Sequence, residues 1–235
     1  MLIEVILFSF LAGITVFLGG LTSYYFEKTV HDKQLKQKTI HFLIAFGTGV
    51  MLSAVCFVLI PKGMENLSIL TSIFIFLFGG VSFYYLDIFI QKNKANIPQV
   101  LAMLLDFIPE SIALGSLFVY DHSLGILLAF FIAMQNFPEA FNSYLELRKT
   151  LFSKTKSLIV LFLLSFVGVI FSVLGFYVLN ENLEITSSLM LFAGGGILYL
   201  IFQDIAPSLR LKNSRFIAVG VNIGFVIGML GKAIS

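Results

Sequence analysis

Eight long apolar runs, separated by short polar connections, leave this chain few folds to adopt. A helix needs roughly 20 mostly apolar residues to cross the hydrocarbon core of a bilayer. Runs at about 2–26, 40–60, 67–90, 100–120, 124–147, 158–179, 185–206 and 216–234 meet that length. In lipid every backbone polar group must be satisfied within the chain, so such runs become helices. The expected fold class is all-α: a polytopic membrane protein of eight transmembrane helices, with residues 1–235 forming a single transmembrane domain. Composition agrees, since 12% of the residues are charged against about 25% in soluble domains. The first run has no basic segment before it and outlasts a signal peptide, so it reads as a retained span. A net charge of +2 is too small to point to nucleic acid. The single cysteine, Cys56, rules out an internal disulfide and a Cys-rich zinc motif, and reads as a small core residue.

Charge placement orients the bundle. Lys28, Lys33, Lys36 and Lys38 follow the first run; Lys92 and Lys94 follow the third. Arg148, Lys149, Lys154 and Lys156 follow the fifth, and Arg210, Lys212 and Arg215 the seventh. Of the 15 basic residues only Lys62 and Lys232 fall on the other side. Basic loops stay in the cytoplasm. An even number of spans then puts both termini on the extracytoplasmic side, in a cytoplasmic (inner) cell membrane.

Ionisable residues deep in spans are costly, about 2.5–3.5 kcal/mol each on insertion scales, and mark function. Asp106 and Glu110 lie in the fourth run, and Gln135, Asn136 and Glu139 in the fifth. Asp106/Glu110 and Gln135/Glu139 are i,i+4 pairs, so each shares a helix face. At about 1.5 Å per residue, Asp106 and Glu139 stand roughly 12 Å from the inner ends of their spans, and Glu110 and Gln135 roughly 18 Å. Packed side by side, the two helices would bring three carboxylates and an amide together near the midplane. Neither run holds a Lys, Arg or His to neutralise them. Either the carboxylates keep protons and glue the helices, or a cation sits among them.

Each Glu follows a proline, Pro109 and Pro138. Proline frees the carbonyl four residues earlier, here Leu105 and Met134, and kinks the helix. Freed carbonyls at this depth need protein or a wet cavity, the arrangement seen at transporter substrate sites. The segments DFIPES and QNFPEA also look like copies of one another. No Ser–His pair, HExxH or GxGD-like arrangement is present, which argues against an intramembrane enzyme.

At these residues the chain resembles the ZIP family of divalent metal transporters. The family pattern in span four is approximately HNxPEG, and here it reads Asp106-Phe107-Ile108-Pro109-Glu110-Ser111. Span five is similar, as Gln135-Asn136-Phe137-Pro138-Glu139-Ala140. FGTGVMLSAVCFVLIPKGME looks like the family's second helix, and FAGGGILYLIFQDIAPS like its seventh. The resemblance implies a ZIP-like bundle, a homodimer, and spans one, four, five and six as a mobile unit. It implies import of a divalent transition metal, Zn²⁺, Fe²⁺ or Mn²⁺, as substrate, with no organic cofactor. The alternative is a transport-inactive sensor or partner protein of the same fold that only binds the metal. The implied ligands of the first metal position are Asp106, Glu110, Gln135 and Glu139, and Asn136 contributes more weakly to a second. The family's Asn is here Phe107, and a Glu often seen in span six falls at Gly168. The second position is therefore expected to be lost. Asp in place of His makes the first position all oxygen, which suits harder ions.

Asp204, with Gln203 beside it, is near the inner end of the seventh run and reads either as a cytoplasmic exit residue or as an interfacial acid reaching water. Asp87 reads as a solvated residue near the inner end of the third. His41 reads as an interfacial anchor, and Asn142 and Ser143 as exit-path or packing residues. The glycine run Gly220, Gly224, Gly228 offers a packing face, internal or dimeric.

Overall fold

The computed structural model describes residues 1–92, 98–150, 152–179, 182–209 and 215–234. Lys94, Arg210 and Lys212, used above to orient the bundle, lie outside the described residues. All regular structure among the described residues is helical. Among the described residues eight helices are long and apolar enough to cross a membrane, the mark of a multi-pass membrane protein. They are α1 (Leu2–Thr29), α2 (Lys33–Met64), α3 (Ile69–Lys92), α4 (Val100–Tyr120), α5 (His122–Lys149), α6 (Lys154–Val178), α7 (Leu183–Ser208) and α8 (Phe216–Ile234).

Several helices outrun their apolar stretches. α2 starts at Lys33 rather than near residue 40, because the Asp32 carboxylate caps it, accepting from the Gln34 amide at 2.7 Å and the Leu35 amide at 3.1 Å. Lys28, Lys33, Lys36 and Lys38 are thus helical rather than in a loop. Their long side chains let a helix end pass beyond the hydrocarbon layer. His41 accordingly sits inside α2 and not at its start, with Nδ1 2.8 Å from the Gln37 carbonyl.

Prolines act differently in different helices. α4 and α5 stay α-helical through Pro109 and Pro138. α2 and α7 instead open into π-helical turns, at Val55–Leu59 and Ile201–Ile205, just ahead of Pro61 and Pro207. Widening the turn by one residue moves the carbonyl that the proline ring would strike. Cys56 lies on the first π turn and is exposed, not a core residue as its apolar surroundings suggest. In a bilayer the surface is apolar too, so an apolar run does not tell a core position from a lipid-facing one.

α2, α4, α5 and α7 form the inner layer, each 61% buried in its most apolar window; the other four range from 17% to 33%. Each outer helix packs on an inner one: α1 on α5, α8 on α2, α3 on α7 and α6 on α4. These pairs assemble into two sets, α1/α4/α5/α6 and α2/α3/α7/α8, which meet mainly along α2–α5 and α4–α7. Glycine sets the spacing within the pairs. An added Cβ on Gly49 or Gly224 would strike the backbone of α8 or α2 in turn. The Gly220–Gly228 face is therefore used inside the chain.

At the end away from the basic segments, the sets share one apolar core. Val58 and Leu59 of α2 and Ala193 and Ile197 of α7 join Leu114 and Leu117 of α4 and Leu128 and Ile132 of α5. At the basic end they part.

Candidate metal site

Between the two sets, a cavity of about 840 Å³ opens among Lys33, Lys36, Arg148 and Lys149 and reaches inward to Asp106 and Glu139. Asn142 and Glu146, one and two turns from Glu139 on the same face of α5, line its wall. Asp204 lines it as well, carried on the π turn of α7.

Glu110 and Gln135 are absent from the cavity wall and fully buried behind it. There the Gln135 amide nitrogen donates to Glu110 Oε2 at 2.6 Å, so α4 and α5 meet at the level that residue depth predicts. Asp106 Oδ1 accepts from the Phe107 amide at 2.9 Å. Asp106 and Glu110 both lie within electrostatic reach of Glu139. Asp106, Glu110, Gln135 and Glu139 thus belong to one region, with two on the cavity wall and two behind it.

Much of this region's oxygen is unspoken for. Glu110 Oε1, Gln135 Oε1 and both carboxylate oxygens of Glu139 are buried without a hydrogen-bond partner. Buried polar atoms are seldom left so. An oxygen-only set of this kind fits a hard or borderline divalent cation. Among the described residues, however, no group of three or more His, Cys, Asp or Glu side chains stands ready to hold a metal ion. Asn136 turns away, its amide nitrogen 3.5 Å from the Ala12 carbonyl of α1. Its Oδ1 is likewise without a partner.

Close helix approach holds the Pro-Glu segment of α5. Pro138 Cγ would be 2.8 Å from a Cβ at Gly47 of α2, and a Cβ at Gly19 of α1 would strike the Phe137 carbonyl from behind. A bulkier residue at either glycine would displace Glu139.

On the α6 side, Phe107 and Gly168 explain each other. Phe107 is 1% exposed, and a Cβ at Gly168 would lie 2.6 Å from Cζ of its ring. The ring fills the space that any side chain at 168 would need. Gly168→Ala is expected to cost roughly 1–3 kcal/mol, read as a drop in thermal stability. Adding Phe107→Leu should recover most of it. Equal losses in the single and double variants would refute the contact.

Two acids were missed or misread in the sequence. Asp87 is not simply solvated: it is 7% exposed, accepts from Tyr199 Oη at 3.1 Å and Gln91 Nε2 at 2.9 Å, and lines the cavity. Its i,i+4 spacing with Gln91, the same as Asp106 with Glu110, was the available signal. Glu27 of α1 also lines the cavity, with Oε2 3.9 Å from Arg148 Nε. Nothing in the sequence singled it out. Ser143 is fully buried in packing, whereas Asn142 faces the cavity.

A scan of protein-family models finds no match, and a search of curated proteins finds no relative.

Proposed function

We propose that the protein is a ZIP-like carrier that imports a divalent transition metal, Zn²⁺, Fe²⁺ or Mn²⁺, across the cell membrane, with both termini outside. The observation that carries this reading is Glu139. Both its carboxylate oxygens are buried at the blind end of a wide cavity with nothing to bond them. Leaving a carboxylate so is expensive unless it takes up a proton or a cation partners it, and the cavity gives a cation a way in. Glu110, Gln135 and Asp106 supply further oxygen around the same place.

The charges orient the cavity. The cavity mouth carries Lys33, Lys36, Arg148 and Lys149, residues that favour the cytoplasmic side. A metal held at Asp106 and Glu139 would leave inward, past Asn142 and then Asp204. Movement of α1, α4, α5 and α6, which carry the site, against α2, α3, α7 and α8 would open the other end, because the cavity lies between those sets.

Uptake into vesicles carrying the purified protein tests the assignment. Wild-type flux of Zn²⁺, Fe²⁺ or Mn²⁺ is expected to vanish when Glu110 and Glu139 are both replaced by Gln. Flux that survives the double replacement refutes it. Saturable equilibrium binding with no flux would mark the chain as a sensor or partner that holds the metal without carrying it.

A further inference from the structure

We propose that Lys62 and Asp121 form a latch that keeps the end opposite the cavity closed, an inference that rests on the carrier reading above. Lys62 Nζ lies 3.4 Å from Asp121 Oδ2. The lysine belongs to α2, in one set of helices, and the aspartate joins α4 to α5, in the other. The pair therefore bridges the surfaces that must part for that end to open.

Each partner is fixed to its own set. The carbonyl of Lys62 accepts from Ser187 Oγ of α7 at 3.5 Å, and the next residue, Gly63, packs close against Leu191 of the same helix. Asp121 caps α5, with Oδ1 accepting from the Leu124 amide at 3.1 Å. One oxygen of Asp121 thus holds its helix while the other reaches across to α2.

Geometry also makes the latch releasable. Lys62 Nζ is closer to Glu65 Oε2, just past the end of its own helix, at 2.8 Å, than to Asp121. When the sets separate, the lysine, only 17% exposed, keeps Glu65 and is not stranded without a counter-charge. A partly exposed ion pair stabilises only weakly, so it biases the closed arrangement without locking it. Beneath it the apolar core described above excludes water.

The test reads exposure of that core directly. Cys56 is the only cysteine, so Cys56→Ala with Ala113→Cys leaves one reporter thiol. Ala113 is fully buried, one turn outward from Glu110 on α4. In vesicles, a membrane-impermeant maleimide is applied from the Lys62 side. Lys62→Gln and Asp121→Asn are each expected to speed labelling about two- to fivefold. The Asn retains the helix cap. The double variant should label no faster than the quicker single one, and Lys62→Arg should match the parent. Unchanged rates, rates that multiply in the double variant, or no labelling in any variant would overturn the latch. Labelling requires no metal, so the two readings separate. Altered labelling without flux removes the carrier reading alone, and flux with unaltered labelling removes the latch alone.

Discussion

Glu139→Gln is expected to cut metal uptake by about 100-fold and, at the same time, to raise the stability of the metal-free protein by roughly 1 kcal/mol. The two effects have one cause. Both oxygens of this carboxylate are buried without a partner, and Asp106 and Glu110 bring two more carboxyl groups within its reach. Without a cation the group must hold a proton or stand uncompensated, a burden on the fold either way, and an amide of the same shape carries no charge. In the proposed carrier a bound cation would take these oxygens as donors, and their loss would be felt in every turnover. Vesicle uptake and thermal unfolding in detergent measure the two sides. A residue that merely packs α5 would give the opposite pattern, with stability falling and flux falling only in proportion. Ser143→Ala, one turn along the same helix but turned into packing, should move neither by much.

Gly175→Leu is expected to abolish folded protein, and Gly175→Ala to cost about 1–3 kcal/mol. α4 and α6 cross with a glycine on each side. A Cβ on Gly115 would strike the Ser172 carbonyl oxygen, and one on Gly175 the Ile112 carbonyl oxygen. Both obstacles are backbone, so no rotamer change makes room and the helices themselves must move apart. That separation would pull α4, which carries Asp106 and Glu110, away from its support. α3 and α7 repeat the device, with Gly79 against Phe192 and Gly195 against Phe76. Gly80 is the control: its nearest neighbour, the Gly195 carbonyl oxygen, would be 3.5 Å from an added Cβ, an ordinary contact, so Gly80→Ala should be nearly neutral. Recovery of monodisperse protein and its melting temperature decide the matter. Gly175→Ala behaving like Gly80→Ala would refute the close crossing.

The number and kind of helices were legible in the sequence because lipid forces the outcome: each apolar run must satisfy its own backbone. So was the level at which α4 and α5 match, since helical rise converts residue number into depth. Glu110 meets Gln135 where that arithmetic puts them. Asp87 was misread because depth alone does not say which way a side chain faces. Tyr199, 112 residues further along, is what makes it a buried acceptor. Cys56 was misread for a related reason, since apolar neighbours occur on both the core and the lipid side.

What this chain's residues settle unaided is therefore local: which segments are helical, how deep their carboxylates lie, and which pairs share a face. Tertiary structure alone decided which helices adjoin, and hence that Phe107 fills the room beside Gly168, that Asn136 turns to α1, and that Lys62 reaches Asp121. Those facts depend on contacts between residues far apart in the chain. Periodicity and hydropathy report only on a segment's own faces, and they carry no record of the neighbour each face will find.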